Sequence, residues 1–400
     1  MNDPVFVVGV GVISGIGNNV AECLHALVEG KTGIDKIKYL KTNHSDLLPA
    51  AEVKLSNDEL SARSGLGPAV SRTAMLSMVA AQEAWDNSGV KKNIPSLRTG
   101  FVSASTTGGI DKTEEFLTHF LTDNNKGKLR DIINHECGSI TTMVAEKLGI
   151  RNHISTISTA CSSSANAIMY GARLIRHNIL DAVVAGGTDA LTRFTLNGFN
   201  TLLVLDGEYC RPFDENRSGL NLGEGAGYVV LVSERVASLL KRDPYCALTG
   251  YFNANDAYHQ TSTSIDGDGP YLAMSGALEM SGLQPQEIDY INLHGTGTQN
   301  NDSSEGAAIQ RLFHPHYPKM SSTKSFTGHT LGASAGVEAV FSVLAVHHGI
   351  IYPNLRLQTP MSAFPFVPET AFSRQPGLKH VLSNSVGFGG NCSSLTFSKL

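Results

Sequence analysis

Residues 153 to 158 alternate β-branched and small side chains, the period-two pattern of a strand; after Cys161, Ala165, Ile168, Met169, Ala172 and Ile175 recur at helical spacing. Arg173, Arg176 and His177 fall in the last turn of that helix, where cations suit its carbonyl end. Val5 to Ile13 is an apolar run broken by glycines and reads as a buried strand, and Ile291 to Leu293 reads as a strand delivering His294 to its end. Strand-like and helix-like segments alternate along the whole chain. That pattern predicts an α/β fold with parallel strands in a layered core.

The pattern also divides into two related halves. Each opens with a strand and a glycine-bearing turn, Val5 to Gly17 and Cys246 to Asn255, and each places a reactive residue just after a strand, Cys161 first and His294 second. Each closes on a glycine-bearing strand hairpin, Gly223-Glu224-Gly225-Ala226-Gly227 before Tyr228 to Val232 and Gly387-Phe388-Gly389-Gly390 before Ser393 to Ser398. The polar stretch Ser233 to Pro244 is the predicted junction, with Lys241-Arg242-Asp243-Pro244 as the break, and Thr122 to Arg130 is a predicted surface loop.

Composition narrows the class. The 400 residues are 41% hydrophobic and 17% charged with 40 glycines, enough for a sizeable globular core and, by length, about two to three domains. A formal charge of -5 argues against a general nucleic-acid binder. The cysteines, Cys23, Cys137, Cys161, Cys210, Cys246 and Cys392, show no CxxC pair and no framework spacing, which fits a reducing cytoplasm. Neither a signal peptide nor a membrane span is expected, the opening Met1-Asn2-Asp3-Pro4 being acidic.

Cys161 lies in Thr159-Ala160-Cys161-Ser162-Ser163-Ser164, at the seam of the predicted strand and helix. A helix N-terminus stabilises thiolate and can lower a cysteine pKa from about 8.5 to roughly 3.5–7.5, so the placement suggests a nucleophile; a buried, inert cysteine is the alternative. His294 opens the glycine and threonine loop Gly295-Thr296-Gly297-Thr298, either as a site residue at a strand end or as a structural histidine. Asn301-Asp302-Ser303-Ser304-Glu305 reads as a helix N-cap with a reciprocal acid. Ser322 to Gly332 supplies Lys324 and His329, and Glu338, in an apolar helix, needs a partner for which Lys324 is the candidate. Phe388, among three glycines, is a movable flap or a core residue of a tight hairpin.

Two patterns mislead. Gly332-Ala333-Ser334-Ala335-Gly336 matches a serine-hydrolase elbow, but no strand precedes it and no Asp follows. Gly9-x-Gly11 with Gly15 lacks the register and the acid of a dinucleotide loop. The His314-Pro315-His316 and His347-His348 pairs lack metal-ligand spacing.

One cysteine and two histidines in this order resemble the β-ketoacyl-acyl-carrier-protein synthases, the elongating type II-like group of the thiolase superfamily. The likeness runs through Val8-Gly9-Val10-Gly11-Val12-Ile13-Ser14, Thr159-Ala160-Cys161-Ser162-Ser163, Ala185-Gly186-Gly187, Arg211-Pro212-Phe213-Asp214, Gly223 to Gly227, Asp256-Ala257-Tyr258-His259 and the three later motifs. It implies a thiolase-like layered αβαβα fold of two pseudo-repeated halves, residues 1–240 and 241–400. It further implies that Cys161 takes the acyl chain from an acyl carrier protein and that the N–H groups of Cys161 and Phe388 form the oxyanion hole. His294 and His329 would hold the malonyl thioester carbonyl during loss of carbon dioxide, with Lys324 and Glu338 setting their charge and orientation. Thr261, Thr296 and Thr298 match pantetheine contacts, Phe388 a gate between half-reactions, and Thr107 the cap of the acyl pocket. The implied partners are acyl- and malonyl-loaded carrier protein and a second copy in a homodimer, without cofactor, metal, nucleic acid or membrane. Arg72, Lys128 and Arg130 are the candidate carrier dock.

Ser164 stands where fatty-acid members often carry glycine, Gly390-Asn391-Cys392 replaces the usual Gly-Thr-Asn, and Thr107 is polar where an aliphatic is common. These departures leave fatty-acid, polyketide and aryl polyene pathways open. The competing classes are a non-catalytic chain-length partner subunit, which would lack the nucleophile, and a coenzyme A thiolase, which would use one histidine and a second reactive cysteine.

Overall fold

The computed structural model describes residues 4–90, 96–240 and 242–400, and a ten-stranded sheet runs through its centre. The strands are β1 (Val5–Ser14), β2 (Thr99–Ala104), β3 (His153–Ile157), β4 (Ala182–Asp189), β5 (Gly225–Ser233), β6 (Cys246–Asn255), β7 (Tyr290–Asn292), β8 (Lys319–Ser321), β9 (His380–Val386) and β10 (Asn391–Ser398). Their order is β3-β2-β4-β5-β1-β6-β10-β9-β7-β8. From the seam between β1 and β6, where Val5–Val7 faces Cys246–Leu248, both sides repeat one pattern. First pairs with last and last with fourth, both antiparallel; fourth pairs with second and second with third, both parallel. Parallel neighbours need crossover connections, which the alternating helices supply.

The helices that matter for the site are α1 (Arg72–Ser88), α2 (Ile110–Thr122), α3 (Ser163–Arg176), α4 (Arg193–Thr201), α5 (Asp268–Ser281), α6 (Gln299–Phe313) and α7 (Ser334–His348). Alternation along the strands sends one set of side chains to each face. Val183 and Leu231 from one side, Val381 and Leu395 from the other, pack on Ile168 and Ala172 of α3 and Val340 and Leu344 of α7. Val184 and Val230 instead meet Ala80 and Ala84 of α1, while Ile291 and Leu382 meet α5 and α6. The result is helices, sheet, a central helix pair, sheet and helices, the layered fold expected. Leu331–His348 is long and apolar enough to cross a membrane, but 89% of it is buried inside this core.

Close approach explains the misleading glycines. A Cβ on Gly11 would stand 2.1 Å from the Ala80 carbonyl oxygen, so the Gly9-x-Gly11 pair lets α1 lie on β1 and forms no phosphate loop.

Three expectations about the halves are corrected. Only the second half closes on a hairpin, since β4 and β5 pair across α4 and long loops. The strand before His294 is β7, whose counterpart is β2, so the His294 turn corresponds to Ser105-Thr106-Thr107 and the Cys161 turn to the Lys324 turn. The predicted junction begins with a helix, Glu234–Leu239, capped by the Ser233 side chain, and Lys241 lies outside the described residues.

Candidate active site

The nucleophile turn is built by its own hydroxyls. Ala160 adopts a left-handed conformation (φ 55°) between β3 and α3, a strained state for alanine that local bonds must hold. Ser163 Oγ accepts from the Thr159 N–H at 2.8 Å and donates to the Ala160 carbonyl. Ser162 Oγ has the Thr159 carbonyl and Asn391 Oδ1 within reach of its single hydrogen, and Asn391 Oδ1 also accepts from Asn166 and Asn253. Asn391, one of the departures, therefore joins the nucleophile turn to the β9–β10 loop. A Cβ on Gly387 of that loop would lie 3.1 Å from the Thr159 carbonyl oxygen and 3.3 Å from the Cys161 nitrogen.

Cys161 sits just before α3, as expected, but its thiol is not acidified. Burial pushes it up to about 11, against the opposing pull of the Lys324 cation and a hydrogen bond from the Phe388 N–H. Loss of water outweighs these pulls because Cys161 is 7% exposed.

His294 and His329 meet edge to face with ring centroids 5.3 Å apart. Lys324 Nζ lies 3.1 Å from His294 Nδ1. An ammonium only donates, so Nδ1 accepts and the ring proton sits on Nε2. His329 reaches the same tautomer by another route, its Nδ1 accepting the Leu331 N–H at 3.0 Å. Desolvation and the nearby Lys324 charge lower both imidazoles well below 6.5, so both are neutral donors at neutral pH. Lys324 also donates to Glu338 Oε1, the pairing predicted, and Ser334 Oγ adds a bond at 3.2 Å. Burial raises the Glu338 carboxyl despite Lys324.

Cys161, His294, His329 and Phe388 open on one cavity of about 320 Å³. Thr261, Thr296 and Thr298 border it too, as expected of contacts to a polar arm. Phe388 is half-buried and stacks on Phe199 of α4, with centroids 5.7 Å apart. The two residues after it, Gly389 (φ 80°) and Gly390 (φ 78°), are left-handed, so the flap stands on backbone that other residues adopt at a cost.

Other expected residues lie elsewhere. Thr107 does not border this cavity; its N–H and hydroxyl both bind Asp189 Oδ1, because that carboxylate gathers the whole 105–107 turn. Arg72 is buried in a pair with Glu224 at 2.7 Å and is no docking cation, whereas Lys128 and Arg130 are exposed. Asp302 and Glu305 form no capping box, since Thr298 holds the cap position and both acids fall inside α6. Glu305 accepts the N–H groups of His294 and Gly295, and Asp302 those of Thr296 and Gly297. Burial raises Glu305 to about 7. These acids and Asp189 went unread as site residues, although an acid ending the apolar β4 run was a visible signal.

Chemically, the lining of the cavity offers one sulfur, the Phe388 backbone N–H beside it and two imidazole N–H donors. Two family descriptions match the chain: "Beta-ketoacyl synthase, N-terminal domain" over residues 2–237 and "Beta-ketoacyl synthase, C-terminal domain" over residues 245–358. A 3-oxoacyl-[acyl-carrier-protein] synthase 2 of Coxiella burnetii is 33% identical, over 99% of this chain and 98% of that protein. Among solved structures, "The ishigamide ketosynthase/chain length factor" superposes with a TM-score of 0.94 at 28% identity, covering 100% of both chains. A type II polyketide synthase acyl-carrier protein in complex with its ketosynthase bound to the hexaketide (AntDE:AntF) gives a TM-score of 0.89 at 25% identity, again over 100% of both chains.

Proposed function

As this chain belongs to the β-ketoacyl synthase family of condensing acyltransferases, we propose that it carries a carrier-bound acyl chain on Cys161 and extends it with malonyl-acyl carrier protein. The observation that supports this is the pair of neutral imidazoles, both protonated at Nε2, facing the same cavity as Cys161.

In the first half-reaction Cys161 Sγ attacks the acyl thioester while the Cys161 and Phe388 N–H groups take the developing oxyanion. The C–S bond to pantetheine breaks and the pantetheine leaves as a thiol, so the proton lost by Cys161 is matched by the one gained. Malonyl-carrier protein then enters, its arm along Thr261, Thr296 and Thr298. The Nε2–H groups of His294 and His329 hold its thioester oxygen, the carboxylate leaves as carbon dioxide, and the electron pair is held as an enolate. The enolate carbon attacks the acyl-Cys161 carbonyl; the C–S bond breaks, and the released Cys161 thiolate takes a proton from solvent to regenerate the thiol. Neutral donors serve this step better than cations would, because they stabilise the enolate without protonating it. Lys324 holds His294 in tautomer and Glu338 balances Lys324. Phe388 moves between the half-reactions.

The two thiolase-like halves, 1–240 and 241–400, each contribute to this cavity. The protein acts in fatty-acid, polyketide or aryl polyene synthesis and works in the cytoplasm, which its six free cysteines suit. A second copy completes a homodimer; the exposed Leu117, Phe120 and Leu121 of α2 and the outer edge of β3, unpaired among the described residues, support that. Retention of Cys161, His294, Lys324 and His329 favours the catalytic role over that of a chain-length partner.

The test is Cys161→Ala beside His294→Ala and His329→Ala, read by intact-protein mass spectrometry with hexanoyl-acyl carrier protein and by β-ketoacyl product formation with malonyl-acyl carrier protein. The first variant is expected to do neither, the others to acylate but to decarboxylate only at a residual rate. Product from Cys161→Ala overturns the mechanism.

A further inference from the structure

Gly332, three residues beyond His329 in the second half of the chain, is gripped on both sides by residues of the first half. Its N–H donates to Asp189 Oδ2 at 2.7 Å, from the end of β4, and its carbonyl accepts from Ser164 Oγ, on the first turn of α3. Asp189 is fully buried and is locked in turn by Ser105, Thr106 and Thr107 through backbone and hydroxyl donors. No Cβ fits at Gly332, since it would stand 2.7 Å from Asp189 Oδ2. Immediately before it, Leu331 is left-handed (φ 54°), a costly state for a leucine, and its N–H is the donor that sets His329 Nδ1. The His329 backbone is anchored separately, its N–H to Asn221 and its carbonyl from Gly223. What remains to orient the imidazole is thus the Leu331 peptide, and what holds Leu331 in place is the grip on Gly332.

We infer that Ser164 and Asp189 are positioning residues for His329, closing on Gly332 so that the Leu331 N–H fixes the imidazole with its Nε2–H toward the malonyl thioester. Through Ser164, three residues after Cys161, the device links the nucleophile helix to the decarboxylation donor His329, and it rests on the condensing reading above.

The test is Ser164→Ala, alone and combined with His329→Ala, with the two half-reactions measured apart. Acylation of Cys161 by hexanoyl-acyl carrier protein is expected to stay within about twofold of wild type, which also shows the variant folded, while carbon dioxide release from malonyl-acyl carrier protein falls about tenfold. In the His329→Ala background Ser164→Ala is expected to cost nothing further, because the two act in series. Unchanged decarboxylation, an equal loss in both half-reactions, or an additive loss in the double variant overturns the inference. If wild type itself neither acylates nor condenses, it is the condensing reading that fails.

Discussion

Lys324→Met removes the cation from a pair whose side chains are 1% and 3% exposed, so solvent screening is negligible. Methionine keeps most of the volume. Glu338 is left with the Ser334 hydroxyl on Oε1, and its Oε2 already has no partner. Removing one member of a buried ion pair costs about 3–5 kcal/mol. The carboxyl limits that cost by taking a proton. Burial already holds it above 4.5, and without Lys324 it rises further. A folded-state pKa above the unfolded one means that the folded protein binds more protons, so stability falls as pH rises from about 4.5 through the folded value. The penalty is therefore small near pH 5 and larger at pH 8. Urea unfolding of wild type, Lys324→Met and Lys324→Met/Glu338→Leu at both pH values measures it. The double variant is expected to regain most of the loss, since an apolar pair replaces a buried ionic one, yet to decarboxylate poorly because His294 has lost its Nδ1 donor. A single-variant cost below about 1 kcal/mol at pH 8, or a double variant no more stable than the single, refutes the reasoning.

Two further outcomes are expected. Iodoacetamide inactivation of the free enzyme should still accelerate at pH 10, because burial holds the Cys161 thiol at about 11; a plateau by pH 9 would show that the helix terminus wins over desolvation. Gly387→Ala places a methyl 3.1 and 3.3 Å from the Thr159 oxygen and Cys161 nitrogen, both backbone atoms that cannot swing aside. Cys161 acylation should slow about tenfold or more, and a wild-type rate would mean that the loop is free to shift.

Chemistry-bearing residues were legible where local pattern exposes them. A cysteine at a strand-to-helix seam, a histidine ending an apolar strand and a charge isolated in an apolar helix are conflicts between a residue and its surroundings that a linear reading detects. Cys161, His294, Lys324 and Glu338 were singled out as candidates in this way, and the layered α/β class followed from the alternation of periods. Asp302 and Glu305 were visible as acids near a helix start but assigned to a cap, because the backbone they hold curls back over α6 and only the folded chain brings Gly295 and Gly297 to them.

The remaining decisions belong to packing. Thiol acidity is a balance of desolvation against charge, and depth of burial is a property of all five layers together. The equivalence of the turns depends on strand order, which local periodicity does not encode. Neither the tautomer of His329 nor the grip on Gly332 can be read along the chain, since Ser164, Asp189 and Gly332 are far apart in sequence and meet only when α3, β4 and α7 converge. Side-chain type and local period are set by neighbours along the chain; water exclusion and hydrogen-bond partners are set by neighbours in space.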